Sequence, residues 1–287
     1  MAAKKFDEVW VKINNKVKWP VYSQPKLDGM RAIAVWDGAN VRFFTRKHKP
    51  ILGLEHHVEH IKRIMAGCEP RYFDGELYEH GTSLQKIGSI MRNESKTYKK
   101  MTYWIFDTFQ VDKLNKPFSE RLMYLNDISE RMRHSVDDYP IIDFVETIVV
   151  RNKADMDNQY KVYRDDGYEG QMIKLDLPYE SNWTREKRSG HVLKRKERQS
   201  AEFKIIGYDY ARKGAHEGAI LFKLEANGKE FTAQPVGMSI AEMKNMYTVV
   251  KYDEGGYIGK MATIEFEEYS DEGVPKQPKF VTVRDYE

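Results

Sequence analysis

The stretch SQPKLDGMRAIAVWDG, residues 23–38, sets Lys26, Asp28, Gly29 and Arg31 within six positions and then alternates apolar and polar residues. A lysine amine attacks the α-phosphorus of a nucleoside triphosphate only when deprotonated, so its surroundings must lower an ordinary pKa of about 10.4. Neighbouring cations, a bound metal or partial burial would do that. Gly29 lets the backbone approach a ligand closely, and Arg31 would return to the same face as Lys26. A solvated turn has the same composition. At average residue usage K-x-D-G arises by chance in roughly one chain in twenty of this length, so other groups must join it.

They follow in order along the chain. FFTRKHK offers Arg46 at a strand end, suited to a phosphate or a ribose. FDGELY places Glu76 after a tight turn, and YWIFDTF holds Phe106 in an aromatic run where it could stack on a purine. DGYEGQMIK sets Glu169 between a turn and a strand. HVLKRKE puts Lys194 and Lys196 on one strand face and Arg195 on the other. Singly, these read as surface charges, a core aromatic, a turn residue and a solvated basic run. Together they supply a nucleophilic amine, a stacking aromatic, two separated carboxylates for a hard divalent ion, and cations for a triphosphate.

The elements that must position these groups are mostly strands. RAIAVWDG, VRFFTR, RYFDGELYEH, MTYWIFDTFQ and EGQMIKL alternate or end at turn signals. GLEHHVEHIKRIMAG carries Leu54, Val58, Ile61 and Ile64 at helical spacing and stops at Gly67. FSERLMYLNDISERMR opens with Ser119 as the expected N-cap and aligns Leu122, Leu125 and Ile128. The mixture predicts an α+β body of packed antiparallel sheets with helices outside. The character changes near residue 198. Short strand-like runs follow, with Asn227-Gly228 as a hairpin turn and one helical piece, SIAEMKNMYTVV. Five or so strands in this tail match a small barrel such as the OB-fold. The expected domains are 1–198 and 199–287, divided just after LKRKER.

Composition bounds the partners. With 47 basic against 44 acidic residues, the net charge of +3 does not by itself establish a polyanionic partner. A single cysteine, Cys68, rules out an intrachain disulfide and a four-cysteine zinc site. The start MAAKKFDEVW has no apolar core of a signal peptide, and no stretch nears the roughly 20 apolar residues of a membrane span. The expectation is a soluble protein of a reducing cytoplasm, without repeats or low-complexity tracts.

As an ordered set, the blocks resemble the ATP-dependent DNA ligases, within the covalent nucleotidyltransferases. KLDGMR matches their adenylated-lysine motif, and the likeness covers nearly the whole chain. It is closest in kind to the compact viral or phage type, an adenylation domain followed by an OB domain. The resemblance implies ATP and Mg2+ as cofactors and nicked duplex DNA as partner, in a monomer that needs no protein partner. Lys26 would become the lysyl-AMP. Gln24 would read the adenine edge, its amide both donating and accepting, while Phe106 stacks on the base and Arg31 and Glu76 contact nucleotide and sugar. Glu169, with Glu76, would bind Mg2+. Lys174 would be a further nucleotide contact, and Lys194 and Lys196 would hold phosphates, Lys196 near the interdomain hinge. Arg46 would touch the 5′-phosphate of the nick. Arg185 in NWTREKR would contact nucleotide or DNA, with Arg188 competing for that place.

One departure stands out. The family's final motif, R-x-D-K, is VTVRDYE here. Arg284 keeps the role of orienting pyrophosphate, while Tyr286 and Glu287 replace the acid and the lysine. The implied reaction seals a 3′-hydroxyl/5′-phosphate nick through lysyl-AMP and adenylated DNA. RNA ligases and mRNA-capping guanylyltransferases share the lysine motif and are the nearest alternative. An NAD-dependent ligase is disfavoured by the missing zinc-module cysteines and N-terminal domain. A non-catalytic OB-barrel binder, stacking bases on Phe203, Tyr208 and Tyr210, would leave everything before residue 198 unexplained.

Overall fold

The computed structural model describes residues 2–13, 17–82, 86–87, 89, 101–133, 141–180, 188–252 and 256–284. The chain divides into two compact units, Met1–Lys196 and Glu197–Glu287.

Two sheets build the first unit. One runs β1 (Ala3–Lys5), β11 (Ser189–Lys196), β10 (Gly170–Lys174), β2 (Val21–Lys26), β9 (Ile148–Val150). The other runs β5 (Pro50–Ile51), β4 (Val41–Thr45), β3 (Met30–Trp36), β6 (Arg71–Tyr78), β7 (Thr102–Phe109), β8 (Ile142–Phe144). Neighbours are antiparallel, as expected, except at two edges: β1 pairs parallel with β11 and β8 parallel with β7. The β3–β4 turn follows from its residues. Asp37 Oδ1 accepts from the Ala39 and Asn40 amides at 3.0 and 2.7 Å, and Gly38 takes φ +103°.

Each sheet buries its outer face under helices. Helices α1 (Phe6–Ile13) and α4 (Lys153–Asp165) cover the first sheet, closing a core of Phe6, Trp10, Val21, Met156, Ile173 and Leu193. Helices α2 (Glu55–Met65) and α3 (Phe118–Arg133) cover the second, with Ile61, Met65, Leu125 and Ile128 packed against Phe73 and Tyr103. Each such apolar side chain stabilises by roughly 1.5–3 kcal/mol on burial. The expectation for Ser119 fails. Helix α3 begins one residue earlier, and the Ser119 amide and hydroxyl donate to the Asp176 carboxylate at 2.8 and 3.1 Å. Asp176, brought in from beyond β10, thus neutralises the helix start that a local cap would have served.

The second unit is a closed barrel in the order β12 (Gln199–Tyr210), β13 (Ile220–Ala226), β14 (Lys229–Pro235), β16 (Lys279–Arg284), β15 (Met261–Phe266). Strand β12 closes it by pairing with β15 through its first half and β13 through its second. Asn227 and Gly228 turn the β13–β14 hairpin at φ +52° and +73°. Helix α5 (Ile240–Tyr252) lies between β14 and β15 in the chain. Phe222 stacks on Phe280 at 3.9 Å inside the barrel. Phe203, considered above as a base-stacking platform, is instead a core residue, 9% exposed and edge-on to Phe231.

Candidate active site

Strand alternation decides which side chains reach the space between the two sheets. On β2, Val21 joins the outer core, while Gln24 and Lys26 face a cavity of about 250 Å³. On β10, Ile173 is outer core and Lys174 faces the cavity; on β11, Leu193 is outer core and Lys194 faces it. Arg31, Arg46, Glu76 and Phe106 complete the set from the other sheet. Glu169 and Lys196 join through Lys26: the Lys26 ammonium donates to Glu169 Oε2, and Lys196 Nζ lies 3.1 Å from the other carboxylate oxygen. Arg195, one residue away, points elsewhere and pairs with Asp157 at 2.6 Å. Arg284 ends the last strand of the barrel unit, donating to Glu202 at 2.9 Å. Arg185, Tyr286 and Glu287 lie outside the described residues, whereas Arg188 lines the cavity.

Two glycines let the backbones close around Lys26. A Cβ on Gly29 would sit 2.7 Å from Glu76 Cγ and collide with the Leu77 carbonyl. A Cβ on Gly170 would strike the Arg195 carbonyl, so the residue after Glu169 must be glycine for β10 and β11 to pair here.

Phe106 reaches the cavity through an irregularity. Asp74 pairs with Asp107 and Gly75 with Ile105, so Phe106 is an extra residue in β7 with no partner on β6. Such a bulge re-aims a side chain. It also redirects the Phe106 carbonyl, which accepts from Gln24 Nε2 at 3.2 Å and from Lys174 Nζ. Gln24, expected as a base reader, is 1% exposed, and its amide nitrogen is engaged by that carbonyl and by Thr147 Oγ1 at 2.8 Å. Lys174, expected as a nucleotide contact, is 3% exposed, its ammonium 5.0 Å from the Phe106 ring centre.

Along the cavity wall and beneath it lies a charged layer of which the sequence reading singled out only Arg31 and Lys174. Arg31 holds Asp74 through two bonds of 2.8 and 2.5 Å, and Tyr179 donates to the same carboxylate at 2.8 Å. Arg121 holds Asp107 at 2.8 and 3.2 Å, and Lys174 approaches Asp107 at 3.3 Å. Burial works to raise the pKa of Asp74, but the Arg31 guanidinium overrides it and holds the carboxyl at about 2. Asp107 is likewise held low against its burial by Lys174 and Arg121. Burial lowers Lys174 to about 8 despite Asp107. Removing one member of such a buried pair typically costs about 3–5 kcal/mol.

Glu76, which lines the cavity, and Glu169, which meets Lys26, differ. Desolvation pushes Glu76 up to about 8, against the pull of Lys26 and Arg31, although part of its surface reaches the cavity. Glu169 is held low by Lys26 and Lys196, which outweigh its burial. Among the described residues no group of three or more His, Cys, Asp or Glu gathers to hold a metal by itself. Two carboxylates, Glu76 and Glu169, beside a cavity lined by cations do suit Mg2+, which keeps waters and binds through one or two carboxylates plus substrate phosphates.

The chain is similar to known proteins. Residues 1–196 match the ATP dependent DNA ligase domain. The DNA ligase of African swine fever virus (isolate Tick/South Africa/Pretoriuskop Pr4/1996) is 30% identical over 270 residues, covering 91% of this chain and 63% of the viral protein. The ligase of the Badajoz 1971 Vero-adapted strain gives the same identity and coverage. The chain thus spans under two thirds of the length of these curated relatives. Among solved structures, one from a structure–function study of Lig E DNA ligases superposes with a TM-score of 0.70 at 21% identity, covering 98% of this chain and 97% of that one. The ATP-dependent DNA ligase of bacteriophage T7, in complex with ATP, gives 0.56 at 18% identity, covering 99% and 97%. With Lys26, Glu76 and Phe106 gathered at one cavity in the unit that the domain match spans, the chain belongs to the ATP-dependent DNA ligase family.

Proposed function

We propose that this chain seals 3′-hydroxyl/5′-phosphate nicks in duplex DNA, using ATP, through a lysyl-AMP and an adenylated-DNA intermediate. The observation that carries the reading is the position of Lys26, lining a cavity that also presents Phe106 and five further cationic side chains, Arg31, Arg46, Lys174, Arg188 and Lys194. Phe106 stacks on the adenine, and the cations neutralise the triphosphate. Attack requires the neutral amine, so Nζ first gives up a proton to solvent water. The Lys26–Glu169 pair must also open, because a nitrogen holding that carboxylate is not free to align with phosphorus.

Lys26 then displaces pyrophosphate from the α-phosphorus. The 5′-phosphate of the nick takes AMP from Lys26, and the 3′-hydroxyl finally expels AMP. Throughout, the protein supplies alignment and charge neutralisation for in-line displacement. Glu169 and Glu76 would hold Mg2+, whose chemistry here is to draw negative charge off the phosphates.

The barrel is read as an OB-fold, on the support of its five-strand closure. Arg284 is read as the residue that orients the leaving pyrophosphate, and Arg188 as taking the nucleotide-contact role weighed between it and Arg185. DNA would be bound through phosphate contacts and therefore salt-sensitively. No described helix is long and apolar enough to cross a membrane. A monomer of the cytoplasm, serving repair, replication or recombination, completes the reading. Incubation with labelled ATP and Mg2+, then a chase with nicked DNA, tests it. Acid-labile label on the protein, discharged as the nick is sealed, is expected. Labelling by GTP instead of ATP, or sealing of RNA alone, would overturn it.

A further inference from the structure

Phe106 must present its ring to the cavity from a strand whose register slips at that residue. A bulge leaves its carbonyl without a ladder partner, so something else must fix the local backbone. The Lys174 ammonium and the Gln24 amide both do so, donating to that carbonyl, and Lys174 is in turn 3.3 Å from Asp107, the residue after Phe106. Arg121 grips the same carboxylate through two bonds, one of them to the oxygen that Lys174 approaches.

Arg121 lies in the first turn of α3, is 4% exposed and does not line the cavity. Its remaining nitrogen, Nη1, donates to the carbonyls of Lys116 at 2.7 Å and Leu177 at 3.2 Å. Phe118, fully buried, packs against both cations, with Lys174 Nζ 4.3 Å and the Arg121 guanidinium 5.3 Å from its ring centre. The guanidinium therefore anchors Asp107 to two loops and a helix at once. Lysine, a point charge with no fork, cannot make the same set of bonds.

We propose that Arg121 is a positioning residue for nucleotide binding: through Asp107 and Lys174 it fixes the bulge that aims Phe106 at the base. This rests on the reading above that Phe106 stacks on the adenine of ATP. Stacking far from the phosphorus contributes equally before and during the chemical step, so its loss raises KM and leaves the saturated rate alone.

The test is the rate of lysine adenylation against ATP concentration, for wild-type, Arg121→Lys and Arg121→Gln, with melting temperatures measured alongside. Arg121→Lys should raise KM for ATP about tenfold, within the range of losing part of a base–aromatic stack, and leave the saturated rate within about twofold. In a Phe106→Ala background the same substitution should add no further rise in KM, because the contact it aims is already gone. An unchanged KM in the folded variants, additive effects with Phe106→Ala, or failure of both Arg121 variants to fold would each overturn the proposal. Wild-type protein that takes no label from ATP would instead overturn the ligase reading itself, and this inference with it.

Discussion

Lys26 and Gly170 are direct partners in the antiparallel β2–β10 ladder. Glu169, one residue before Gly170, is thereby carried to the end of β2, where its carboxylate meets the Lys26 ammonium. The pairing register sets this contact, so the amine and its carboxylate are held by backbone rather than by loop conformation. Lys26→Ala should abolish transfer of label from ATP to protein. Arg31 cannot substitute, since its guanidinium does not deprotonate and is committed to Asp74. A covalent adenylate on the alanine variant would refute Lys26 as the nucleophile.

Glu169→Gln keeps the shape of the side chain and removes its charge. If Glu169 holds Mg2+, the variant should adenylate about a hundredfold more slowly, as expected for a lost charged contact to the transition state. It should also need more Mg2+ for half-maximal rate. Its melting temperature should fall only moderately, because the largely buried ion pairs it loses are replaced by an amide oxygen that still accepts from Lys26. A slow variant with a collapsed melting temperature would make Glu169 structural.

Much of this was legible in the sequence because the site is carried by strands, whose alternation tells which residues share a face. Lys194 and Lys196 face one way and Arg195 the other, as period two requires. Helix α4 was not legible: only Met156 and Tyr163 of its residues are buried, too sparse a stripe for a periodic signal. Its Asn152 N-cap, accepting from the Asp155 amide at 2.8 Å, was the one available cue. The Phe106 bulge and the Asp107–Arg121 pair were out of reach for another reason. Both arise from how β7 meets its neighbours, and nothing within FDTF states that register.

His57 gives a pH dependence of stability. It is 1% exposed, with Nε2 bonded to the Met101 carbonyl at 2.8 Å and Nδ1 buried without a partner. Burial lowers its pKa to about 4, aided by His56 and His60 and opposed by the Met101 carbonyl and Glu55. The folded value lies below the unfolded value of about 6.5. The neutral ring's contribution is therefore complete above pH 6.5 and is lost as pH falls from 6.5 towards 4. Chemical denaturation across that window should show wild-type losing up to about 3 kcal/mol more than His57→Gln, which still donates to Met101 but does not titrate. Parallel pH curves for the two proteins would show that His57 is not the group responsible.

Arg284 tests the division of labour between the two units. Its pair with Glu202 is exposed, so its removal should hardly change the melting temperature. If it orients pyrophosphate, it acts only in the first step, where that group departs. Sealing begins after pyrophosphate has gone, so the same side chain has nothing left to orient. Arg284→Ala should therefore slow lysine adenylation by roughly a hundredfold or more, as loss of a charged transition-state contact does. It should seal a chemically pre-adenylated nick at nearly the wild-type rate. Lys26→Ala provides the control, because a pre-adenylated nick bypasses the step that needs its amine. Equal damage by Arg284→Ala to both steps would assign the arginine to DNA binding or to the barrel itself.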